Sequence, residues 1–208
     1  MTGHADMINR LLETKRPFRG QIARLERSTD LRSATLELVL QPSDRPQADV
    51  QRWCIEAQGV LDFALNSQEF QTIDLVERHP LLWTYDEDEV ELYFHGQLAD
   101  VHATIGRLEV ANSIAGRGWI AFGALFNEGT SLHVLLASGS GLLAKGPLPV
   151  ITAYQEVLEA AGLRCSPLNQ GSMSLPGPNA SPRALILGRS YVIAAEFGAS
   201  KLPPDSAK

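Results

Sequence analysis

The apolar residues of this chain change their spacing at His95-Gly96. Upstream they alternate by two, best seen in Trp53, Ile55, Ala57, Gly59, Leu61, Phe63 and Leu65. Downstream they fall at three and four, in Val101, Ile105, Leu108, Ala111 and Ala115. A period of two marks a half-buried strand, and a period near 3.6 marks one face of a helix. The sequence therefore predicts a sheet built first and helices laid on it afterwards.

Residues 7–15 have the pattern of a short helix, ended by Pro17. Strands are predicted over 18–27 and 34–40, the first with poor alternation, then over 51–65 and 70–77. Gly59 marks a bend or bulge within the long third strand. Residues 79–96 read as a hairpin with Asp86-Glu87-Asp88-Glu89 as its loop. That register pairs Tyr85 with Val90, Trp83 with Leu92 and Leu81 with Phe94.

Asp100 is the expected N-cap of a helix over 101–115, closed by Gly116. Residues 119–126 form an aromatic connection, and Thr130 or Ser131 opens the segment LHVLLA. Pro147 or Pro149 begins a second long helix that Gly162 ends. Residues 163–183, rich in Pro, Gly, Ser and Asn, are predicted to be a long loop. Residues 184–197 are near-continuously apolar, as in a central strand, and 198–208 read as a disordered tail.

The fold class predicted is α+β: a mainly antiparallel sheet from residues 18–94 plus a returning strand 184–197, covered on one face by helices within 100–162. One domain over 1–197 accommodates it, with a sheet-forming part 18–96 and a helical part 97–162. A parallel, doubly wound sheet is disfavoured because the early strands join through loops too short for crossover helices.

At 208 residues the chain is long enough to bury a core without disulfide or metal. Its two cysteines, Cys54 and Cys165, are expected to be small buried hydrophobes. The sequence has no apolar run of membrane-spanning length and no signal-peptide core at its start, so a cytoplasmic protein is expected. The net charge of −6 argues against general nucleic-acid binding. Residues 1–32 run the other way, with seven basic side chains against four acidic ones. Gatekeeper charges on an edge strand explain that excess, and a patch for an acidic partner is the alternative.

Few residues suggest chemistry. His95, Asp100 and His102 gather at the strand-to-helix switch, where convergence would be needed to hold a metal. With His79 and Trp83 they form the candidate binding set. The acidic tip 86–89 lacks the glycine and distant glutamate of an EF-hand loop. Gly139, Gly141 and Lys145 suggest a weak anion-binding loop. They lack the second glycine and the hydroxyl residue of a phosphate loop, since Ala144 and Gly146 stand in those places. Gly188-Arg189-Ser190 lacks the second glycine of a nucleophile elbow. No catalytic residue, metal or cofactor is expected.

The leading functional expectation is a non-enzymatic protein-binding module: an adaptor, assembly factor, chaperone or toxin-neutralising partner, with self-association as one form of partnering. A second is a small-ligand or lipid-binding domain with a cavity lined by Trp53, Phe63, Trp83 and Phe94. A third is an enzyme built around His79, His95 and His102.

Overall fold

The computed structural model describes residues 17–30, 32–43, 50–169 and 181–203. The short helix expected at 7–15 lies outside them. The chain divides into two compact units, one comprising 1–79 with 177–208 and the other 80–176.

The first unit is a seven-stranded antiparallel sheet. Its strands are β1 (Phe18–Arg27), β2 (Ser33–Pro42), β3 (Gln51–Ala64), β4 (Glu69–Phe70), β5 (Ile73–Val76), β9 (Arg183–Leu187) and β10 (Ser190–Leu202), in the order β4-β1-β2-β3-β10-β9-β5. The sheet curls. Its two edge strands, β4 and β5, come from one short segment, parted only by Gln71 and Thr72. The inward face carries Leu36, Leu38, Leu40, Trp53, Ile55 and Ala57, with Leu185, Leu187, Val192 and Phe197 from the C-terminal strands.

Alternation in β1 fails for a definite reason. Phe18, Gly20 and Ile22 face inward, then the register shifts between Ile22 and Arg24, so Leu25 resumes the inward set. A bulge adds one residue and reverses the phase of every side chain beyond it. Gly59 behaves as expected. It takes φ +64°, a left-handed conformation that glycine adopts without steric cost, and Ser33 and Arg32 bond on either side of it to Gln58 and Val60.

The last strand is central, between β3 and β9. It runs on to Leu202, where Gly198–Leu202 pair with Glu56–Arg52. Residues 198–202, read as tail, are therefore strand, held by the ladder hydrogen bonds to β3. Residues 204–208 lie outside the described set.

The second unit has a three-stranded antiparallel sheet, β7 (Ser140–Pro147), β6 (Glu89–His95) and β8 (Arg164–Asn169), with β6 in the middle. Val90, Leu92 and Phe94 share one buried face of β6. Against that face pack α2 (Val101–Ala115), α3 (Leu132–Ala137) and α4 (Leu148–Ala160), through Leu108, Leu135, Leu136, Ile151, Tyr154 and Leu158. The α+β class, the antiparallel pairing and the helices on one face stand as the alternation implied.

Sheet membership differs from expectation in several places. Strand 89–95 pairs with β7 and β8 rather than with the strands upstream. The expected hairpin 79–96 does not form, because Pro80 opens a 3-10 turn, Pro80–Leu82, which leads into the one-turn helix α1 (Trp83–Asp86). Proline donates no ladder hydrogen bond and its φ suits the start of a helix. Leu82 is buried there, and Glu87 N donates to Trp83 O at 3.0 Å. The apolar residues at 81, 83 and 85 thus imitate a strand while lying on a turn. Part of the predicted loop 163–183 is also strand, since β8 completes the sheet at 164–169.

The two long helices match their punctuation. Asp100 Oδ1 accepts from Ala103 N at 2.9 Å, and Pro147 precedes α4 with Pro149 in its first turn. Ser131 caps α3, its Oγ accepting from Val134 N at 3.3 Å. Gly162, at φ +88°, follows α4. Both cysteines are free and only partly buried, where full burial was expected.

Candidate functional site

The switch region places its residues differently from the expected cluster. His95 is exposed at the end of β6, paired in register with Ser140 and Arg164. Asp100 spends its carboxylate on the α2 cap. His102, exposed in the first turn of α2, stacks on His133 of α3 with ring centroids 4.7 Å apart. His79 is partly buried, and Trp83 packs at the margin of the second unit's core. Among the described residues no group of three or more His, Cys, Asp or Glu side chains is placed to hold a metal ion. The pairing of His102 with His133 joins two helices far apart in sequence, and nothing in their local sequence signals it.

The segment read as a glycine loop is strand β7. Residues 140–147 pair in register with β6, the Lys145 amide donates to Leu125 O at 2.8 Å, and Lys145 Nζ lies 3.2 Å from Glu89 Oε2. Gly139 takes a left-handed conformation, φ +81°, and a Cβ there would press on Gln97. The four aromatic residues expected around one cavity divide between the two cores. Trp53 and Phe63 belong to the first unit, Trp83 and Phe94 to the second. Asp86 ends α1, where burial raises its carboxyl pKa above the ordinary range.

Inside the second unit Tyr154 is fully buried and stacks on Phe126, with centroids 5.1 Å apart. Asn112 Nδ2 donates to Ile120 O at 2.8 Å. Burial pushes the Tyr154 phenol pKa well up, so the hydroxyl stays a donor. These contacts pin the aromatic connection 119–126 to α2 and α4.

Two surfaces among the described residues are candidates for binding. The first is the outer face of α2, where Ala103, Gly106, Val110 and Ile114 are all exposed, Val110 at 59% and Ile114 at 73%. At 100° per residue these four fall in a stripe about 80° wide. The inner face, Thr104, Leu108 and Asn112, is buried. Val101, Ile105 and Ala115 pack against the same core beside Leu108, so the helix carries apolar side chains on two sides, and a search for one amphipathic stripe finds only the inner one.

The second surface is a cleft of about 780 Å³ in the first unit, beside the corner between β4 and β5. Arg19, Gln21, Ser67, Thr72 and Arg189 are among its lining residues. These residues come from β1, the 66–72 segment and the β9–β10 turn, which only the folded sheet assembles.

Comparison with protein-family models, curated proteins and solved structures gives no match for this chain.

Proposed function

We propose that this chain is a non-enzymatic protein-binding module and that the outer face of α2 is its docking surface. The observation that carries the reading is the exposed stripe Ala103, Gly106, Val110 and Ile114. Contiguous exposed apolar side chains mark interaction sites. Gly106 adds weight, since glycine inside a helix costs about 1 kcal/mol relative to alanine. Among the described residues a Cβ at that position would meet nothing within 4 Å, so none of their contacts requires the glycine. Close approach by a second helix would require it.

A second copy of the chain is the occupant that the pattern fits. Under an antiparallel two-fold, Gly106 of one helix faces Val110 of the other, and Ala103 faces Ile114. Every large residue then meets a small one, and the face complements itself as an isologous contact must. The stripe covers only about 17 Å of helix. That is small beside the roughly 800 Å² per partner of a standard interface, so association is expected to depend on concentration. The two free cysteines support a cytoplasmic place of action. No helix among the described residues is long and apolar enough to cross a membrane.

Sedimentation velocity over a concentration series tests the reading. The full chain should shift from monomer toward dimer, and Val110→Asp or Ile114→Asp should hold it monomeric with an unchanged circular dichroism spectrum. A wild-type chain that stays monomeric up to about 1 mM, or variants that dimerise as the wild type does, would overturn it.

A further inference from the structure

The seven-stranded sheet leaves a gap where its edges meet. β4 bonds to β1 only at Gly20 and Gln21, and β5 bonds to β9. The cleft of about 780 Å³ opens at this corner, and a neighbouring cavity of about 570 Å³ shares Arg19, Gln41, Gln71 and Thr72 with it.

The walls are held in place before any ligand arrives. Ser190, fully buried, donates through Oγ to Ser67 O at 2.8 Å and accepts from Ser67 N at 3.0 Å. Asn66 Nδ2 donates to Arg189 O at 3.0 Å, and Gly188 N donates to Thr72 O at 3.1 Å. The β9–β10 turn and the 66–72 segment therefore form one fixed rim. Preorganisation of this kind lowers the entropic cost of binding.

Two arginines are among the lining residues, Arg19 and Arg189, and both are exposed. Neither has an ion-pair partner among the described residues, although the chain as a whole carries −6. Arg24 and Arg52, by contrast, both pair with Glu37. One carboxylate, Glu69, also lines the cleft, and the side chains of Gln21, Gln71 and Thr72 supply neutral donors.

We propose that this cleft binds a small organic oxyanion, a carboxylate or a phosphate ester, through Arg19 and Arg189. A guanidinium presents paired donors that match two oxygens of either group. The volume is that of a small-molecule site, and the polar lining suits a charged ligand better than an acyl chain. The site lies in the other unit from α2 and does not depend on the docking surface proposed there.

Titration calorimetry on the full chain, with inorganic pyrophosphate and with citrate as separate probes at matched ionic strength, tests the proposal. Binding of either probe supports it, and the probe that binds tells phosphate from carboxylate. Arg19→Gln and Arg189→Gln should each weaken binding about tenfold or more, and the double variant should abolish it. Arg19→Lys and Arg189→Lys, which keep the charge but lose the paired donors, should fall between. Thermal melts of the same variants, unchanged without probe, separate loss of the site from loss of the fold. No binding of either probe at about 10 mM, or equal binding by the double Gln variant, would overturn the proposal.

Discussion

The hydroxyl of Tyr154 donates a 2.8 Å hydrogen bond to Oδ1 of Asn112, and both side chains are buried. The bond ties the middle of α4 to the last turns of α2. Asn112 in turn holds Ile120 O, so three segments meet at one amide. Tyr154→Phe keeps the ring stacked on Phe126 but leaves the Asn112 carbonyl oxygen unsatisfied. That should cost about 1–3 kcal/mol, read as a lower urea midpoint with an unchanged m-value.

Gly20 faces inward on β1, directly under Phe70 of β4. A Cβ at Gly20 would overlap the Phe70 ring. Gly20→Ala should therefore displace Phe70 or break the two-residue pairing of β1 with β4, at a cost of about 1–3 kcal/mol. Hydrogen exchange would locate the effect, with faster exchange of the Ile22 amide, which donates to Gln68 O at 2.8 Å.

Gly106 predicts the opposite sign. Its backbone is not in the left-handed region and a Cβ there is unobstructed. Gly106→Ala should raise monomer stability by about 1 kcal/mol. If α2 packs closely on a second copy, the same change should weaken self-association. A stability gain with weaker dimerisation, measured on one sample by urea titration and sedimentation, separates the two roles of this residue.

The thiols make a pH prediction. Burial, with the nearby Glu159 carboxylate, pushes Cys165 from 9.0 up to about 11. Cys54 moves the same way, through burial and the carboxylates of Glu56 and Glu37. Between those two values for Cys165 the folded chain holds its proton while the unfolded chain releases it. Stability from this group is thus intact below about pH 9 and lost as pH rises through about 11. At pH 8 both thiols should react with iodoacetamide more slowly than in urea, because the thiolate is the nucleophile.

Much of the fold was legible because its signals are local. The Asp100 cap, Pro147 before α4 and the long alternation in β3 each report a conformation decided within a few residues. The errors arose where two structures share one pattern. Leu81, Trp83 and Tyr85 alternate as a strand would, yet Pro80 commits them to a turn. Ser140–Pro147 holds three glycine and proline residues and still lies in a ladder with β6, because Leu143 and Ala144 have a core to face. Neither open surface could be read ahead. The α2 stripe hides behind a second apolar face, and the cleft brings Arg19 and Arg189 together across most of the chain.

The placement of β10 carries a consequence for synthesis. This strand is central to the first unit, yet it lies at 190–202, after the whole second unit has been made. A ribosome-bound chain therefore exposes β1, β2 and β3 with the outer edge of β3 unpaired, while residues 80–176 can already fold. An unpaired fourteen-residue strand is a template for intermolecular pairing, and chains fold domain by domain as they emerge. Translation that stalls before residue 190 would leave a product whose second unit is native and whose first unit is prone to aggregate. The cell's demand for chaperoning of this protein would then be set by the time between making β3 and making β10.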